Sequence, residues 1–338
     1  MRLWRRLGAH LEACRPDSVF YIGLVGVAGC LLATRHPSGW RLLGAWSAPT
    51  FGWLASLYGG DYFDRRLDAI AKPHRPIPSG RMAAREAFGG MVVSIVAGLT
   101  IAVALNPLNL VVVIGAGILG VSYSAVFKAR GILGNLVRGG PTALAFILGT
   151  MATGQRPPLV LVPVAVIFWL HDSGSNLVGA LCDVDGDRRG GYQTFPIRHG
   201  DSAALHAVSL FYLLWLALAA AYPGAVLIRF DPLSYAPFLI VADLLGLIVI
   251  IKLIRAPHPV PRLHAVRAHE ILVVERLVLA GSFVAAASSA RYALALLIPS
   301  SAVTLIARSL MRTRYEPRCA DVRIAFAPQV LSASRRKK

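Results

Sequence analysis

Of the 338 residues, 56% are hydrophobic and 15% are charged, which is too apolar for a soluble domain, whose averages are roughly 45–50% and about 25%. Disorder requires low hydrophobicity, so an integral membrane protein is the class that this composition leaves. The formal charge of +18 comes from 35 Lys and Arg residues against 17 Asp and Glu residues. Because these charges lie between apolar segments, they indicate loops that meet anionic membrane lipids, and they argue against a nucleic-acid partner.

Apolar segments long enough to cross a bilayer recur along the chain. A spanning helix needs about 20 mostly apolar residues. The segments at 270–288 and 290–310 can form two spans, or one broken span plus a surface helix. We therefore predict an all-α, polytopic membrane protein with about nine or ten transmembrane helices. The expected spans are roughly 18–34, 41–58, 88–106, 108–127, 137–153, 158–180, 203–228, 233–254, 270–288 and 290–310.

The loops between these segments alternate between nearly uncharged and basic ones. The positive-inside rule assigns the basic loops to the cytoplasm. The expected organisation is a basic cytoplasmic N-terminus over 1–17, a transmembrane domain over 18–311 and a basic, disordered tail over 312–338. The four long basic loops run at about 61–86, 128–138, 183–200 and 255–268.

Two clusters of aspartates follow the second and the sixth predicted spans, each at the end assigned to the cytoplasm. In the first cluster, Asp61, Asp64 and Asp68 are three and four residues apart. At about 100° per residue they lie on one face of a helix, so their carboxylates point the same way. The cluster leads into a basic, proline-rich segment, Lys72-Pro73-His74-Arg75-Pro76-Ile77-Pro78-Ser79-Gly80.

The second cluster also forms a stripe. Four polar residues are separated by four, seven and four positions, which stacks their side chains on one side of a helix. They are Asp172, Asn176, Asp183 and Asp187. Asp185 falls on the opposite side of that helix, so we expect its substitution to be mild and that of Asp183 to be severe.

Two facing rows of carboxylates repel each other unless cations lie between them. Oxygen ligands without Cys or His select Mg²⁺ or Mn²⁺, and Mg²⁺ prefers a few carboxylates together with substrate phosphate oxygens. Although a lone Asp-x-x-Asp is more often a solvated helix end, two clusters on one side of the membrane favour a metal site. The pattern predicts a site for a diphosphate with an apolar tail. Its remaining charge would be complemented by Lys72, Arg75, Lys128, Arg138 and Arg198.

These motifs resemble those of the UbiA superfamily of intramembrane prenyltransferases. The resemblance covers about residues 15–290 and also includes Gly134-Asn135-Leu136-Val137, which is similar to the family's loop between the fourth and fifth helices. It implies a bundle of about nine transmembrane helices around a central cavity with a cytoplasmic cap. The motifs read Gly60-Asp61-x-x-Asp64-x-x-x-Asp68, and Asn176-x₆-Asp183-x₃-Asp187 with Thr194-x-Pro196 behind it.

Carried over position by position, the resemblance implies two metal sites. Asp61 and Asp64 would hold one Mg²⁺, while Asp68 would orient the first motif. The second metal would be held by Asn176, Asp183 and Asp187. The five aspartates of the two motifs are the catalytic residues that the family implies.

The same resemblance implies that Lys72, Arg75, Lys128 and Arg198 bind the diphosphate oxygens. From their positions, Tyr58 and Tyr123 near the cytoplasmic span ends and Asn176 and Asp172 of the second stripe are expected in the substrate cavity. Aromatic rings stabilise a cation through their faces, although such rings more often serve packing or the membrane interface, and Asp172 alternatively pairs with His171.

The activity implied is Mg²⁺-dependent transfer of a prenyl group from a prenyl diphosphate to a small aromatic or lipid acceptor, with release of diphosphate. Gly60 stands where the family usually has Asn, which removes a side-chain oxygen beside the metal. One alternative is a membrane terpene cyclase of the same superfamily, in which the prenyl chain traps its own cation. A second alternative, a transporter, predicts carboxylates at mid-membrane on discontinuous helices, whereas both clusters follow the cytoplasmic ends of spans.

Overall fold

The computed structural model describes residues 2–34, 36–225 and 230–315, and within these ranges the regular structure is helical. The end of the span expected at 203–228 and most of the tail expected over 312–338 lie outside the described residues. The helices are α1 (Arg2–Ala13), α2 (Val19–Ala33), α3 (Gly39–Phe63), α4 (Arg65–Ala71), α5 (Ala84–Leu105), α6 (Asn109–Ser122), α7 (Ile132–Thr150), α8 (Val162–Cys182), α9 (Val184–Arg189), α10 (Phe195–Ala225), α11 (Pro232–Ile254), α12 (Arg262–Ala287) and α13 (Ala290–Tyr315).

The predicted all-α membrane fold is confirmed, and each of the ten predicted segments coincides with a helix. In the described part of the chain, six helical segments are long and apolar enough to cross a membrane. Two others, α2 and α6, are apolar but only 15 and 14 residues long. The six spanning segments are Ala84–Leu105, Ile132–Thr150, Leu159–Cys182, Phe195–Pro223, Pro232–Ile254 and Ala290–Met311.

Helix α2 lies inside the bundle, where it packs against α3, α7 and α12. Every residue from Tyr21 to Leu32 is buried. A helix that is apolar on all sides is stable where neighbouring elements surround it. With a rise of about 1.5 Å per residue, α2 is roughly 22 Å long, which is shorter than the hydrocarbon layer of about 30 Å. Because protein surrounds α2, this short length leaves no polar terminus in lipid.

Glycines allow α2 to approach its neighbours at backbone contact distance. A Cβ atom at Gly26 would overlap the carbonyl oxygen of Ala45 in α3. A Cβ atom at Gly149 of α7 would overlap the carbonyl oxygen of Gly26. Small residues at such crossings let membrane helices pack closely, which replaces the hydrophobic driving force that lipid does not supply. The two glycines therefore fix how closely α3 and α7 approach α2.

Four interruptions of the helices supply the walls of the site. Helix α3 gives way to α4 at Asp64, and α8 gives way to α9 at Asp183. Helix α6 ends in a π-helical turn over Tyr123–Phe127, a feature frequent at functional sites. Within α10, Gly200 has φ 80° and ψ 171°, a backbone conformation open chiefly to glycine, which separates the first residues of α10 from its spanning part.

The crossing of α2 is tested by Gly26→Ala. We expect this variant to lose about 1–3 kcal/mol of unfolding free energy, because the added methyl group overpacks the α2–α3 contact. Gly117→Ala in α6 is the matched control, since a Cβ atom there meets nothing within 4 Å. Thermal unfolding in detergent should show a lower midpoint for Gly26→Ala alone. Equal losses in the two variants would contradict the close crossing.

Candidate active site

A cavity of about 770 Å³ lies where the interrupted helices meet. Of the described residues, nine Lys and Arg and six Asp and Glu line it. Its wall therefore carries an excess of three positive charges. A site with both charge signs and a cationic surplus suits an anionic ligand that is accompanied by a cation.

The two aspartates of the second motif are each paired with a lysine at this cavity. The Lys72 Nζ atom lies 3.4 Å from the Asp183 Oδ2 atom, and the Lys128 Nζ atom lies 3.5 Å from the Asp187 Oδ1 atom. Lys128 also lies over the ring of Tyr192, at 4.1 Å from its centroid. The Lys72 pair joins the segment after α4 to the junction of α8 and α9, so the basic segment behind the first motif reaches the second motif. Asp61, Asp64 and Asp68 themselves are not among the described residues that line the cavity.

The two carboxylates differ in electrostatic environment. Burial raises the pKa of Asp183, but the ammonium of Lys72, with Arg262 and Arg75, outweighs burial and holds that pKa below its ordinary value. Burial raises the pKa of Asp187, and the charge of Lys128 does not fully offset it. Burial also lowers the pKa of Lys128, yet the nearby Asp187 carboxylate raises it overall. Lys128 thus stays charged beside Asp187.

The first motif forms a buried ionic cluster around Arg75. The Arg75 Nη1 atom lies 2.6 Å from the Asp68 Oδ2 atom and 3.4 Å from the Asp61 Oδ1 atom. Arg15 contributes a second guanidinium, 3.2 Å from the same Asp61 oxygen. Asp61 and Asp68 share a partner because seven residues separate them on nearly continuous helix. Asp64, at the helix junction, is half-buried and within electrostatic reach of Lys128.

The expected continuous stripe of the second motif is wrong in one respect. Helix α8 ends at Cys182, and Asp183 has φ −111° and ψ 11°, so the helical register does not continue into α9. Asp185, expected on the opposite side, is exposed and lines the same cavity as Asp183 and Asp187. The break turns α9 so that Asp183, which precedes it, and the two aspartates within it, Asp185 and Asp187, all line the cavity.

Asn176 and Asp172 lie on the cavity wall, in α8. The Asn176 Oδ1 atom accepts a hydrogen bond of 2.9 Å from the Asn135 Nδ2 atom, and the Asp172 Oδ2 atom accepts one of 2.8 Å from the Thr142 hydroxyl. Asn135 was expected in a loop, but it lies in the first turn of α7. Two residues of α7 thus orient two polar side chains of α8.

The structure separates the remaining predicted site residues. Tyr123 and Arg138 line the cavity, and the Arg138 guanidinium lies 5.9 Å from the Tyr123 ring centroid. Among the described residues, Tyr58 and Arg198 are not part of its lining. The Tyr58 hydroxyl instead bonds to the His10 Nδ1 atom at 3.0 Å, because amphipathic α1 packs against this end of α3. A Cβ atom at Gly60 would meet nothing within 4 Å.

Five cavity arginines were missed by the sequence analysis. They are Arg15, Arg189, Arg262, Arg276 and Arg308. Arg276 and its neighbour Glu275 lie within the span predicted at 270–288, and ionisable residues inside a span usually mark a functional site. That signal was present in the sequence, whereas the contact of Arg15 with Asp61 depends on a separation of 46 residues that no local pattern reveals.

The donor set fits a magnesium ion that protein and substrate would hold jointly. Asp183, Asp187 and the amide of Asn176 offer oxygen ligands at the cavity, and oxygen is the ligand that Mg²⁺ prefers. Within the described residues, His, Cys, Asp and Glu side chains do not converge in a preformed group of three or more. Mg²⁺ usually binds one or two carboxylates together with water and substrate phosphates, so this open arrangement suits it.

Comparison with known proteins decides the family. The model of the UbiA prenyltransferase family matches residues 22–269. The chain belongs to the UbiA prenyltransferase family. The enzyme is therefore a prenyltransferase, as the two aspartate motifs predicted. It is a multi-pass integral membrane protein, as the apolar segments predicted. The transporter alternative is wrong.

Among curated proteins, the chain is similar to digeranylgeranylglyceryl phosphate synthases. The chain is 32% identical over 238 residues to the digeranylgeranylglyceryl phosphate synthase of Methanopyrus kandleri, covering 69% of this chain and 83% of that protein. It is 29% identical over 243 residues to the synthase of the same name from Korarchaeum cryptofilum, covering 71% and 83%. These relatives lend no support to the cyclase alternative.

Solved structures share the fold. A UbiA homologue from Archaeoglobus fulgidus bound to GPP and Mg²⁺ superposes with a TM-score of 0.64 at 18% identity, covering 86% of this chain and 99% of that one. A homologue from Aeropyrum pernix K1 gives a TM-score of 0.67 at 17% identity, covering 79% and 96%. The helical bundle around the cavity is therefore the UbiA fold.

Proposed function

We propose that this enzyme transfers a prenyl group from a prenyl diphosphate to the hydroxyl group of a lipid acceptor that carries a glycerol phosphate. The observation that carries this proposal is the pairing of Asp183 with Lys72 and of Asp187 with Lys128 on one cavity. Carboxylates suit a divalent cation and lysines suit a diphosphate, so one site serves both parts of the donor. The choice of acceptor rests on the synthases that the chain resembles over about 70% of its length.

Magnesium is the metal that we propose for this site. The residues that would hold it are the first-motif pair Asp61 and Asp64, and the second-motif set Asn176, Asp183 and Asp187. When bound, Mg²⁺ stabilises the negative charge that develops on the leaving diphosphate. The Archaeoglobus fulgidus homologue bound to GPP and Mg²⁺ supports this choice.

The cationic side chains of the chain stabilise the leaving group. As the bond between the allylic carbon and the diphosphate oxygen breaks, Lys72 and Lys128 offer ammonium protons to the departing oxygens. Each ammonium has three donors, so a lysine can bind the diphosphate and keep its aspartate. Arg75 holds Asp61 and Asp68 in place and adds positive charge beside this site. We propose Arg198 as a further diphosphate ligand, contributed by the segment before Gly200.

Aromatic rings on the wall can stabilise the allylic cation. The Arg138 guanidinium lies 4.7 Å from the ring centroid of Trp53 and 5.9 Å from that of Tyr123. These rings therefore already face a positive charge, which is the orientation that a cation–π contact requires. The acceptor hydroxyl oxygen then bonds to the allylic carbon and its proton passes to the released diphosphate, which completes the transfer.

We propose that the cavity faces the cytoplasm, because the basic segments at 61–86, 128–138 and 183–200 all reach it and positive loops lie inside. The prediction is that inverted membrane vesicles convert externally added prenyl diphosphate, which does not cross the bilayer, whereas right-side-out vesicles do so only after permeabilisation. Permeabilised samples of both kinds serve as the control for enzyme content. Activity confined to right-side-out vesicles would reverse the orientation.

The transfer itself is tested with purified enzyme, Mg²⁺, a panel of prenyl diphosphates and a monoprenyl glyceryl phosphate. Mass spectrometry should show a diprenylated glyceryl phosphate, with the donor intact when the acceptor is omitted. A cyclic hydrocarbon or terpene alcohol formed without acceptor would establish the cyclase instead. Failure to consume any donor with any acceptor would refute the proposal.

Variants of the second motif test the metal assignment. Asp183→Asn and Asp187→Asn should each lower kcat/KM for the donor by at least about a hundredfold, the scale for losing one group that stabilises transition-state charge. Asp185→Asn, in the same short helix but exposed, should lose less than about tenfold.

Unfolding midpoints of the three variants should remain similar, because the substitution of Asp by Asn keeps the side-chain volume. Rates measured against free Mg²⁺ should show a higher metal requirement for Asp183→Asn and Asp187→Asn. An inactive Asp185→Asn with an active Asp183→Asn would contradict the assignment.

A further inference from the structure

A second group of cations lines the same cavity beside the residues of the second aspartate motif. It comprises Arg276 of α12 and Arg308 of α13, with His269 and Asp17 beside them. These residues come from the last two helices and from the segment before α2. Neither motif supplies any of them, and the diphosphate site described above does not use them.

Arg276 is buried and has an unfilled hydrogen-bonding capacity. Its exposed fraction is 7%, and its buried Nε atom has no hydrogen-bond partner in the described part of the chain. Its guanidinium lies over the ring of Tyr21, at 4.9 Å from the centroid. Asp172 lies within electrostatic reach, but its Oδ2 atom is engaged by Thr142. A buried cation that lacks a bonded carboxylate is unstable unless a ligand completes its shell.

An adjacent buried pair holds Arg276 in position. The His171 Nε2 atom lies 2.5 Å from the Glu275 Oε2 atom, and both side chains are almost fully buried. This contact joins α8 to α12. The next residue on each helix, Asp172 and Arg276, lines the cavity. The pair therefore fixes the register in which these two side chains face the interior.

Arg308, which is half-buried, is the second cation of this group. Its Nη1 atom lies 3.2 Å from the Asp17 Oδ2 atom, and its Nη2 atom lies 3.1 Å from the His269 Nδ1 atom. Its Nε atom, like that of Arg276, is buried and has no hydrogen-bond partner among the residues described. The charges of Arg276 and Arg308 lie close enough to repel each other. An anion between the two guanidinium groups would remove that repulsion.

We infer that Arg276 and Arg308 form a second anion subsite, which binds the phosphate monoester of the lipid acceptor. A guanidinium matches the tetrahedral phosphate oxygens with paired donors and remains charged when buried. An enzyme that joins two anionic substrates needs two separate cationic groups, and Lys72 and Lys128 are already assigned to the diphosphate of the donor. The inference rests on the proposed function, since it assigns the phosphate of that acceptor to these two side chains.

The test compares acceptors with and without the phosphate. Arg276→Gln and Arg308→Gln are assayed with a monoprenyl glyceryl phosphate and with the corresponding monoprenyl glycerol. We expect each variant to raise the KM of the phosphorylated acceptor by about ten- to a hundredfold, the range for losing a charge-assisted hydrogen bond. The KM of the prenyl diphosphate should stay unchanged, and the non-phosphorylated acceptor should react equally with variant and parent enzyme. Arg276→Lys should recover part of the loss because it restores the charge.

Arg41→Gln is the matched control. The Arg41 Nε atom is also buried without a hydrogen-bond partner in the described ranges, and its guanidinium also lies over an aromatic ring, that of Trp40, at 5.7 Å. Arg41 lies outside the cavity lining, so its variant should leave both acceptor KM values unchanged. If Arg276→Gln does not fold, the KM values of the two acceptors are compared in Arg276→Lys and Arg308→Gln instead.

Inhibition by inorganic phosphate tests whether the subsite recognises the phosphate group without the lipid. It should inhibit the parent enzyme in competition with the phosphorylated acceptor, and inhibit Arg276→Gln more weakly. Equal KM increases for both acceptors, or an increase for the prenyl diphosphate instead, would overturn the second subsite while leaving the transfer reaction intact. A parent enzyme that transfers to other acceptors and never to the phosphorylated one would overturn the proposed function itself.

Discussion

The neutralisation of charge inside an apolar bundle is the constraint on which the site depends. A charged group away from water is costly unless it is paired, and the carboxylates of both motifs meet cations here. Asp61 and Asp68 converge on Arg75, while Asp183 and Asp187 each contact a lysine. The pairing lets the protein carry many charges at the edge of the membrane. It also keeps side by side the carboxylates and the cations that we propose bind metal and diphosphate.

The helix breaks convert this pairing into a usable geometry. A spanning helix alone would carry each aspartate along a single stripe, with oxygens spread over several turns. The junctions at Asp64 and Asp183 end the spans, and short helices α4 and α9 then run on from them. Lysines on the adjoining loops can reach the carboxylates as a result. The close crossing at Gly26 supports this arrangement, because it holds α3 and α7 against α2.

The sequence predicted the fold more completely than the site. Hydropathy located the ten apolar helices, since a membrane demands long apolar segments, and motif spacing brought Asp183 and Lys72 to one site. Spacing failed at Asp185, because it assumes a continuous helix and the register changes at the junction. It also failed at Tyr58, whose partner His10 lies on a helix that hydropathy does not detect. Contacts between distant segments depend on packing, which local pattern does not encode.

The buried position of α2 has a consequence for the order of assembly. Helix α2 is synthesised before α12, one of the helices that enclose it. Its environment is therefore incomplete until α12 has been synthesised. Until then, the surface of α2 that packs against α12 lacks that partner. This central helix is thus made well before it is enclosed.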